Sequence, residues 1–295
     1  MKAQLILFVK KIIYKSEKKH KFLSKTIKIL YCSIYNFFKN RCFLVASSLT
    51  YYSLMALVPF IALIFAVGRI FHFQKVFEKD LVQRFSEQKE LINELIQFAN
   101  NLLMQSKGGI IALIGVIFLF TSLIQLLSHI ESTFNNIWKV KRRKLKHSLN
   151  VYISFILMLP ILILTYSLIK VFFIDVFVEK YVIDSVKEWV FYIFLIIAPY
   201  VLIYVIFCFV YLLMPNTRVK FKYAFYGALI SGTFYQFLQY FYILFQSNFT
   251  KFNAIYGSFA ALPLFLIWLQ LSWLIFLFGA ELTYSFQNLK ECKFK

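Results

Sequence analysis

The sequence predicts an all-α membrane protein, a polytopic bundle of helices that cross a bilayer. Of its 295 residues, 61% are hydrophobic and only 16% are charged, whereas a water-soluble domain carries about 25% charged residues to cover its surface. The apolar residues form unbroken runs, so a closed membrane barrel, whose strands alternate apolar and polar residues, is excluded. This composition also excludes a disordered chain and a collagen-like repeat.

The first predicted element is an amphipathic helix over 22–38, inside a basic N-terminal segment, 1–41. It is expected to lie on the anionic inner surface of the membrane, with its lysines on the opposite side from its apolar stripe. The stripe recurs every three or four positions: Leu23, Ile27, Leu30, Ile34 and Phe37.

Six apolar stretches then follow, each long enough to cross a hydrocarbon layer of about 30 Å, which takes about 20 helical residues. Together they form a predicted transmembrane domain, 42–285, which a short tail, 286–295, follows. A second amphipathic helix, over 88–105, is predicted on the outer side, either packed on the bundle or acting as a moving lid. The six predicted spans lie near 43–71, 110–130, 150–173, 189–213, 224–246 and 257–284.

The charge pattern predicts the orientation of these spans. The chain carries 33 Lys and Arg against 13 Asp and Glu. Twenty-three of the basic residues fall on one side of the six-span arrangement, and the positive-inside rule makes that side cytoplasmic. Both termini are therefore predicted in the cytoplasm, as an even number of spans requires. The segments on that side are 1–41, 131–149, 214–223 and 285–295.

A dense basic run follows the second predicted span. We expect it to contact anionic lipid headgroups, because no aromatic stacking platform for a nucleic acid accompanies it. No nucleic-acid partner is expected, and the oligomeric state stays open. The run consists of Lys139, Lys141, Arg142, Arg143, Lys144 and Lys146.

Enzyme chemistry finds little support in the sequence. The four cysteines form no CxxC pair, and the four histidines lie far apart, so no metal site is expected. Cys32 and Cys292 lie in segments predicted to be cytoplasmic, a reducing compartment, so no disulfide is expected either. No P-loop, GxSxG or dinucleotide fingerprint is present. We therefore expect no cofactor and no catalytic activity.

Polar side chains inside the spans are the candidate functional residues. Ser47, Thr50 and Tyr51 share one helical face of the first span, and Gln236 and Gln239 share a face of the fifth. Such faces either join neighbouring helices by hydrogen bonds, which is the commoner case, or line a wet path for a solute.

Glu281 is the only acid in the last span. A charge at the bilayer centre costs about 2.5–3.5 kcal/mol, so a carboxyl there is a candidate proton or substrate site. Because Glu281 lies near the cytoplasmic end, it is alternatively a structural anchor paired with Arg41 or another basic residue.

Four prolines mark expected helix breaks in the first, third, fourth and sixth spans: Pro59, Pro160, Pro199 and Pro263. Ordinary kinking explains them, because proline is common in membrane helices. The alternative is a pair of inverted three-helix repeats with broken helices around a midplane site.

Three motifs resemble the YihY/virulence factor BrkB family of bacterial inner-membrane proteins. They are RCFLVASSLTYYSLMALVP from Arg41, NNIWKV from Asn135, and YGSFAALPLFLIWLQLSW from Tyr256 followed by FGAEL up to Leu282. The resemblance implies six transmembrane helices in a bacterial cytoplasmic membrane. Family members long carried the label ribonuclease BN, which is widely regarded as a misassignment, and transport or envelope-lipid roles have been suggested. The long basic N-terminus departs from the family pattern, as does Gln270, where an aromatic residue is common.

Three functional hypotheses follow, in order of preference. The first is gradient-driven handling or export of a lipid or amphiphilic solute along a path lined by the polar face of the first span and Glu281. The second is a scaffolding membrane protein whose basic face recruits partners. The third, least favoured, is a nuclease that processes tRNA.

Overall fold

The computed structural model describes residues 21–70, 109–171, 184–249 and 261–289, with three isolated positions between 93 and 97. Within these residues all regular structure is helical, which confirms the predicted fold class for that part of the chain. The described helices, in order, are α1 (Lys21–Lys39), α2 (Cys42–Ile70), α3 (Gly109–Trp138), α4 (Leu145–Val171), α5 (Asp184–Leu213), α6 (Phe221–Phe249) and α7 (Ala261–Gln287).

The described part of each predicted span lies in one of the helices α2 to α7, and the predicted span residues 71, 172–173 and 257–260 lie outside the described residues. Within the described residues, two segments are long and apolar enough to cross a membrane, Lys146–Tyr166 in α4 and Pro263–Gln287 in α7. The apolar segments Cys42–Leu57 and Ile197–Leu213 are shorter. The number of six spans and the cytoplasmic termini stay predictions.

Helix α1 confirms the predicted helix at 22–38 and shows which of its faces meets protein. It packs against α7, and Ile29, Ser33 and Phe37 are buried. Leu30 and Ile34, from the predicted apolar stripe, are 44% and 49% exposed and point away from that contact. The helix therefore has one face on the protein and a second apolar face outside. The other amphipathic segment, 88–105, lies almost entirely outside the described residues.

One expectation about the cysteines was wrong. Cys32, buried in α1, is disulfide-bonded, although no disulfide was expected. Cys42 and Cys208 are free thiols, so the partner of Cys32 is outside the described residues. The expectation failed because it rested on spacing and on the predicted reducing compartment, neither of which reports how close two thiols lie after folding.

The predicted helix breaks can be placed along the helices. Helices α2, α4 and α5 continue through Pro59, Pro160 and Pro199. Pro263 lies in the first turn of α7, where the backbone N–H of any residue lacks an intrahelical partner and proline removes no hydrogen bond. The inverted repeat stays a prediction.

Helices α6 and α7 approach each other closely because small residues line their contact. A Cβ atom added at Gly279 would collide with the hydroxyl oxygens of Tyr211 and Ser231, and one added at Gly227 would collide with that of Thr283. Gly227 and Ser231 are four residues apart on α6, as Gly279 and Thr283 are on α7. These are small-xxx-small patterns, which allow membrane helices to pack backbone against backbone.

The chain divides into two compact units. The first comprises Met1–Thr50, Glu131–Arg142 and Tyr204–Lys295, and the second comprises Tyr51–Ile130 and Arg143–Ile203. The first unit therefore contains α1, α6 and α7, the start of α2, and the C-terminal ends of α3 and α5. The polar cluster described next lies within it.

Candidate functional site

The centre of the candidate site is Glu281, which lies in the C-terminal third of α7 and is fully buried. The Asn40 side-chain amide donates a hydrogen bond of 2.6 Å to Glu281 Oε1. The Cys42 thiol lies 4.0 Å from the same oxygen. Glu281 Oε2 is also buried, and it has no hydrogen-bond partner. The carboxyl group is thus satisfied on one oxygen only.

The chain reversal between α1 and α2 places these groups on Glu281. Helix α1 ends at Lys39, and Arg41 takes a left-handed conformation with a φ of 53°, which costs a non-glycine residue about 1–2 kcal/mol. The Asn40 amide N–H still bonds to the Asn36 carbonyl oxygen at 2.8 Å, and α2 begins at Cys42. One tight turn therefore delivers both an amide and a thiol to the carboxyl.

Arg41 or another basic residue was predicted to pair with Glu281, and the structure places Asn40, the neighbour of Arg41, on the carboxyl. Arg41 is exposed. The cation that acts electrostatically on Glu281 is Lys139, at the end of α3. Neighbouring positions on a turn point in different directions, and sequence alone does not show which of them faces α7.

Lys139 is held in place by an unusual helix end. It has a φ of 56°, and the next amide, Val140 N–H, bonds to the Asn135 carbonyl at 2.9 Å. This is a Schellman motif, in which glycine is the usual residue at the left-handed position. The ammonium of Lys139 donates to the Tyr284 hydroxyl at 2.9 Å and lies 5.0 Å from the centre of its ring. Tyr284 is one helical turn beyond Glu281.

Three buried polar atoms at the ends of α3 and α7 lack a hydrogen-bond partner: Trp138 Nε1, Ser285 Oγ and Glu281 Oε2. The Trp138 ring meets the Tyr284 ring edge-on, with 5.9 Å between the centroids. A buried polar group without a partner costs about 1–3 kcal/mol, and such groups call for a functional explanation. We call these three residues with Lys139 and Tyr284 the polar end of the first unit.

A second fully buried acid, Glu131 in α3, was not among the sequence-predicted candidates. The Asn135 amide donates to its Oε1 at 3.4 Å, while Asn135 Oδ1 accepts from the Asn216 backbone N–H at 2.7 Å. The Asn216 side-chain amide donates in turn to the Lys141 backbone carbonyl at 2.9 Å. Asn135 begins the NNIWKV motif, but its partners come from a distant loop and leave no signal in the sequence.

Gln287 at the end of α7 bonds to the loop between α5 and α6, which also contains Asn216. Its Oε1 accepts from the Lys220 backbone N–H at 2.9 Å, and its Nε2 donates to the Arg218 carbonyl at 3.1 Å. These contacts hold the segment between α5 and α6 against the ends of α3 and α7, and they present exposed cations at fixed positions.

The polar face of the first predicted span joins two helices. Gln270 in α7 accepts a 2.9 Å hydrogen bond from the Thr50 hydroxyl and donates one of 3.0 Å to the Ser47 hydroxyl. Tyr51 is exposed. Gln270 and Glu281 are eleven residues apart on α7, about 16 Å along its axis. The structure therefore brings Ser47 and Thr50 together with Gln270, and not with Glu281.

The remaining sequence candidates lie elsewhere. Gln236 is buried in α6, where its Nε2 has no hydrogen-bond partner, and Gln239 is half-buried; their place in a solute path stays a prediction. Among the residues that the structure describes, no group of three or more His, Cys, Asp or Glu could hold a metal ion. Most of the basic run is exposed: Lys139, Lys141, Arg142, Lys144 and Lys146, with Arg143 half-buried.

The comparisons with known proteins concern most of the chain. A family model described as virulence factor BrkB matches residues 33–294. The chain is 30% identical over 268 residues to a UPF0761 membrane protein of Chlorobium phaeobacteroides, covering 88% of this chain and 57% of the relative. It is 30% identical to the UPF0761 membrane protein of Mannheimia succiniciproducens, covering 87% and 89%, and 32% identical to that of Chromohalobacter salexigens, covering 81% and 58%.

The chain therefore spans little more than half the length of the Chlorobium and Chromohalobacter relatives and most of the Mannheimia relative. No solved structure matches. The relatives confirm a membrane protein, and their names state no activity.

Proposed function

The chain belongs to the virulence factor BrkB family, and from that premise we propose that it moves a lipid or another amphiphilic solute across the bacterial cytoplasmic membrane, driven by an ion gradient. In this proposal α2 to α7 are the six spans and both termini are cytoplasmic. Glu281 is the group that takes up and releases a proton. The proposal assigns no catalytic step to the protein.

The observation that carries the proposal is the half-satisfied carboxyl of Glu281. An ionised carboxylate that is buried with only neutral hydrogen-bond donors on it costs several kcal/mol, whereas a protonated carboxyl avoids that cost. The arrangement in which Asn40 bonds to Glu281 therefore favours the protonated form of the Glu281 carboxyl. Loss of the proton favours any arrangement that gives the carboxylate water or a cation, so protonation biases the bundle between two states.

The surface beside Glu281 supports an amphiphilic solute. Leu30, Ile34 and Phe38 of α1 expose large apolar side chains, and the cations of Lys39 and Arg41 are exposed on the adjoining turn. An apolar strip that ends in cations complements a molecule with a hydrocarbon tail and an anionic head.

The scaffolding hypothesis has one observation of its own. Arg218 and Lys220 are exposed on a loop that Gln287 and Asn216 fix by hydrogen bonds. A rigid basic surface of this kind suits the binding of an anionic partner, and it requires no movement of solute.

Reconstitution into liposomes separates the two hypotheses. We expect the full chain to accelerate the transfer of fluorescent phosphatidylglycerol between leaflets when a pH gradient is imposed. Glu281→Gln should lower the gradient-driven rate by at least about tenfold, equivalent to about 1.4 kcal/mol, because the amide is similar in shape but carries no exchangeable acid proton. Glu131→Gln is the matched control, since it changes the other fully buried acid in the same way.

Transfer no faster than in empty liposomes, for this lipid and for other amphiphiles, would overturn the transport proposal in favour of the scaffold. A gradient-driven rate that is equal in Glu281→Gln and the wild type, at equal amounts of inserted protein, would remove Glu281 from the mechanism.

A further inference from the structure

The polar end of the first unit is rich in hydrogen-bond donors that have no acceptor. Trp138 Nε1 is a donor only, it is buried, and it has no partner. The Ser285 hydroxyl is buried without a partner as well. The Lys139 ammonium and the Trp138 ring both contact Tyr284, which precedes Ser285 on α7. A group with several acceptor oxygens and a negative charge would satisfy all of these donors.

The left-handed backbone conformation of Lys139 costs free energy, and ending helix α3 does not require a lysine at that position. Glycine would close the helix end of α3 without strain, yet a lysine occupies the left-handed position. Non-glycine residues in this conformation are concentrated at functional sites. The ammonium of Lys139 is accessible at the surface, while Trp138 and Ser285 are covered, so a ligand meets Lys139 first and reaches the other donors when the ends of α3 and α7 separate.

Glu281 and such a ligand compete for the same cation. The Lys139 ammonium bonds to Tyr284, one helical turn beyond Glu281 on α7, so an ionised carboxylate at Glu281 would attract the ammonium and repel an anion. When the Glu281 carboxyl is protonated, the Lys139 ammonium is available to bind the ligand. Binding of a proton at Glu281 and of an anion at Lys139 therefore favour each other, and this coupling is reciprocal.

We propose that Lys139, Tyr284, Trp138 and Ser285 bind a phosphate group, and that this binding is coupled to protonation of Glu281. The inference deepens the proposed function, on which it rests for the idea that the phosphate belongs to the solute that is moved. The phosphate is part of a lipid headgroup or is free in solution, and both carry the same acceptor oxygens.

Groups on several elements face Glu281. They include the Lys139 ammonium at the end of α3 and the Cys42 thiol at the start of α2. Helix α1 contributes the neutral amide of Asn40. Helix α6 packs on α7 through Gly227 and Ser231, which carry no charge.

Binding to the purified full chain in detergent, measured by calorimetry, tests this inference. The probe is short-chain phosphatidylglycerol, whose phosphodiester keeps one negative charge across the pH range used. Short-chain phosphatidylcholine and inorganic phosphate form the other arms. We expect Lys139→Gln to weaken phosphatidylglycerol binding by about tenfold or more, the loss of a charge-assisted hydrogen bond. Lys222→Gln removes the same charge from an exposed position of α6, outside the basic run, and should change binding little.

The coupling has its own readout. Wild-type affinity for phosphatidylglycerol should rise by about fivefold or more as the pH falls, the lower end of typical coupling between two sites. Glu281→Gln should bind at all pH values with the affinity of the protonated state. Binding of inorganic phosphate through Lys139 would identify free phosphate as a ligand, and its absence would identify a lipid headgroup; either result supports the site.

Equal binding by Lys139→Gln and Lys222→Gln would overturn the site. An unchanged pH dependence in Glu281→Gln would overturn the coupling. Neither result depends on transport, so a failure of the proposed function would appear in liposomes while phosphate binding persists.

Discussion

Replacing Gly279 with leucine is expected to lower the free energy of unfolding by more than about 3 kcal/mol, because the new side chain has no room between α6 and α7. Even a single Cβ at this position would meet the hydroxyl oxygens of Tyr211 and Ser231. Tyr211 is fully buried, and its hydroxyl donates to the Phe276 carbonyl at 2.8 Å. It therefore cannot move aside without leaving buried polar groups unpaired.

The measurement is thermal unfolding of the purified protein in detergent, followed by the amount that remains monodisperse. The smaller change Gly279→Ala provides a matched test of the cause. Ser231→Gly and Tyr211→Phe remove the atoms that the added methyl group meets, so together they should recover part of the stability that Gly279→Ala loses. Stability of Gly279→Leu equal to that of the wild type would show that α6 and α7 do not pack in this way.

The second large effect is expected at Asn40. Asn40→Ala removes the 2.6 Å hydrogen bond to Glu281 and leaves a buried carboxyl without an amide donor. The expected loss is about 1–3 kcal/mol of unfolding free energy. In a Glu281→Leu background the same substitution should cost little, because no polar group is then left behind.

A double-mutant cycle in thermal or denaturant unfolding measures this coupling. Asn36→Ala is the control, since Asn36 is half-buried one turn earlier on α1. If Asn40→Ala costs as much stability in the Glu281→Leu background as it does in the wild type, the contact between Asn40 and Glu281 is wrong.

The helices were predictable from the sequence because hydropathy reports the solvent around each segment directly. The described part of every predicted span lies in a helix, and α1 follows its predicted bounds within a residue or two. It was harder to predict which face of α1 packs on the protein, because two of its faces are apolar. Only the packing against α7 shows that Phe37 turns inward while Leu30 and Ile34 remain outside.

The candidate site was predictable only in part. Glu281 was evident as the single acid in an apolar run. Its partner Asn40 was not, because a left-handed turn at Arg41 decides which side chain faces α7. Lys139 was evident as one of a run of cations, whereas its separate role follows from its position on Tyr284. Contacts between residues more than 100 positions apart depend on helix rotation and crossing, which a single sequence does not report.

Gln270 joins α7 to α2. Its amide binds the Ser47 and Thr50 hydroxyls, so those three residues form one helix-joining unit. An aromatic residue there would leave the α2 hydroxyls to other partners.

Infrared difference spectroscopy of the reconstituted protein tests the central claim most directly, namely that Glu281 takes up and releases a proton inside the bundle. We predict a carboxylic acid C=O stretching band that changes in intensity with pH and is missing in Glu281→Gln, while Glu131→Gln retains it. A pH-difference spectrum that is identical in the wild type and Glu281→Gln, with both proteins folded and inserted, would contradict the claim.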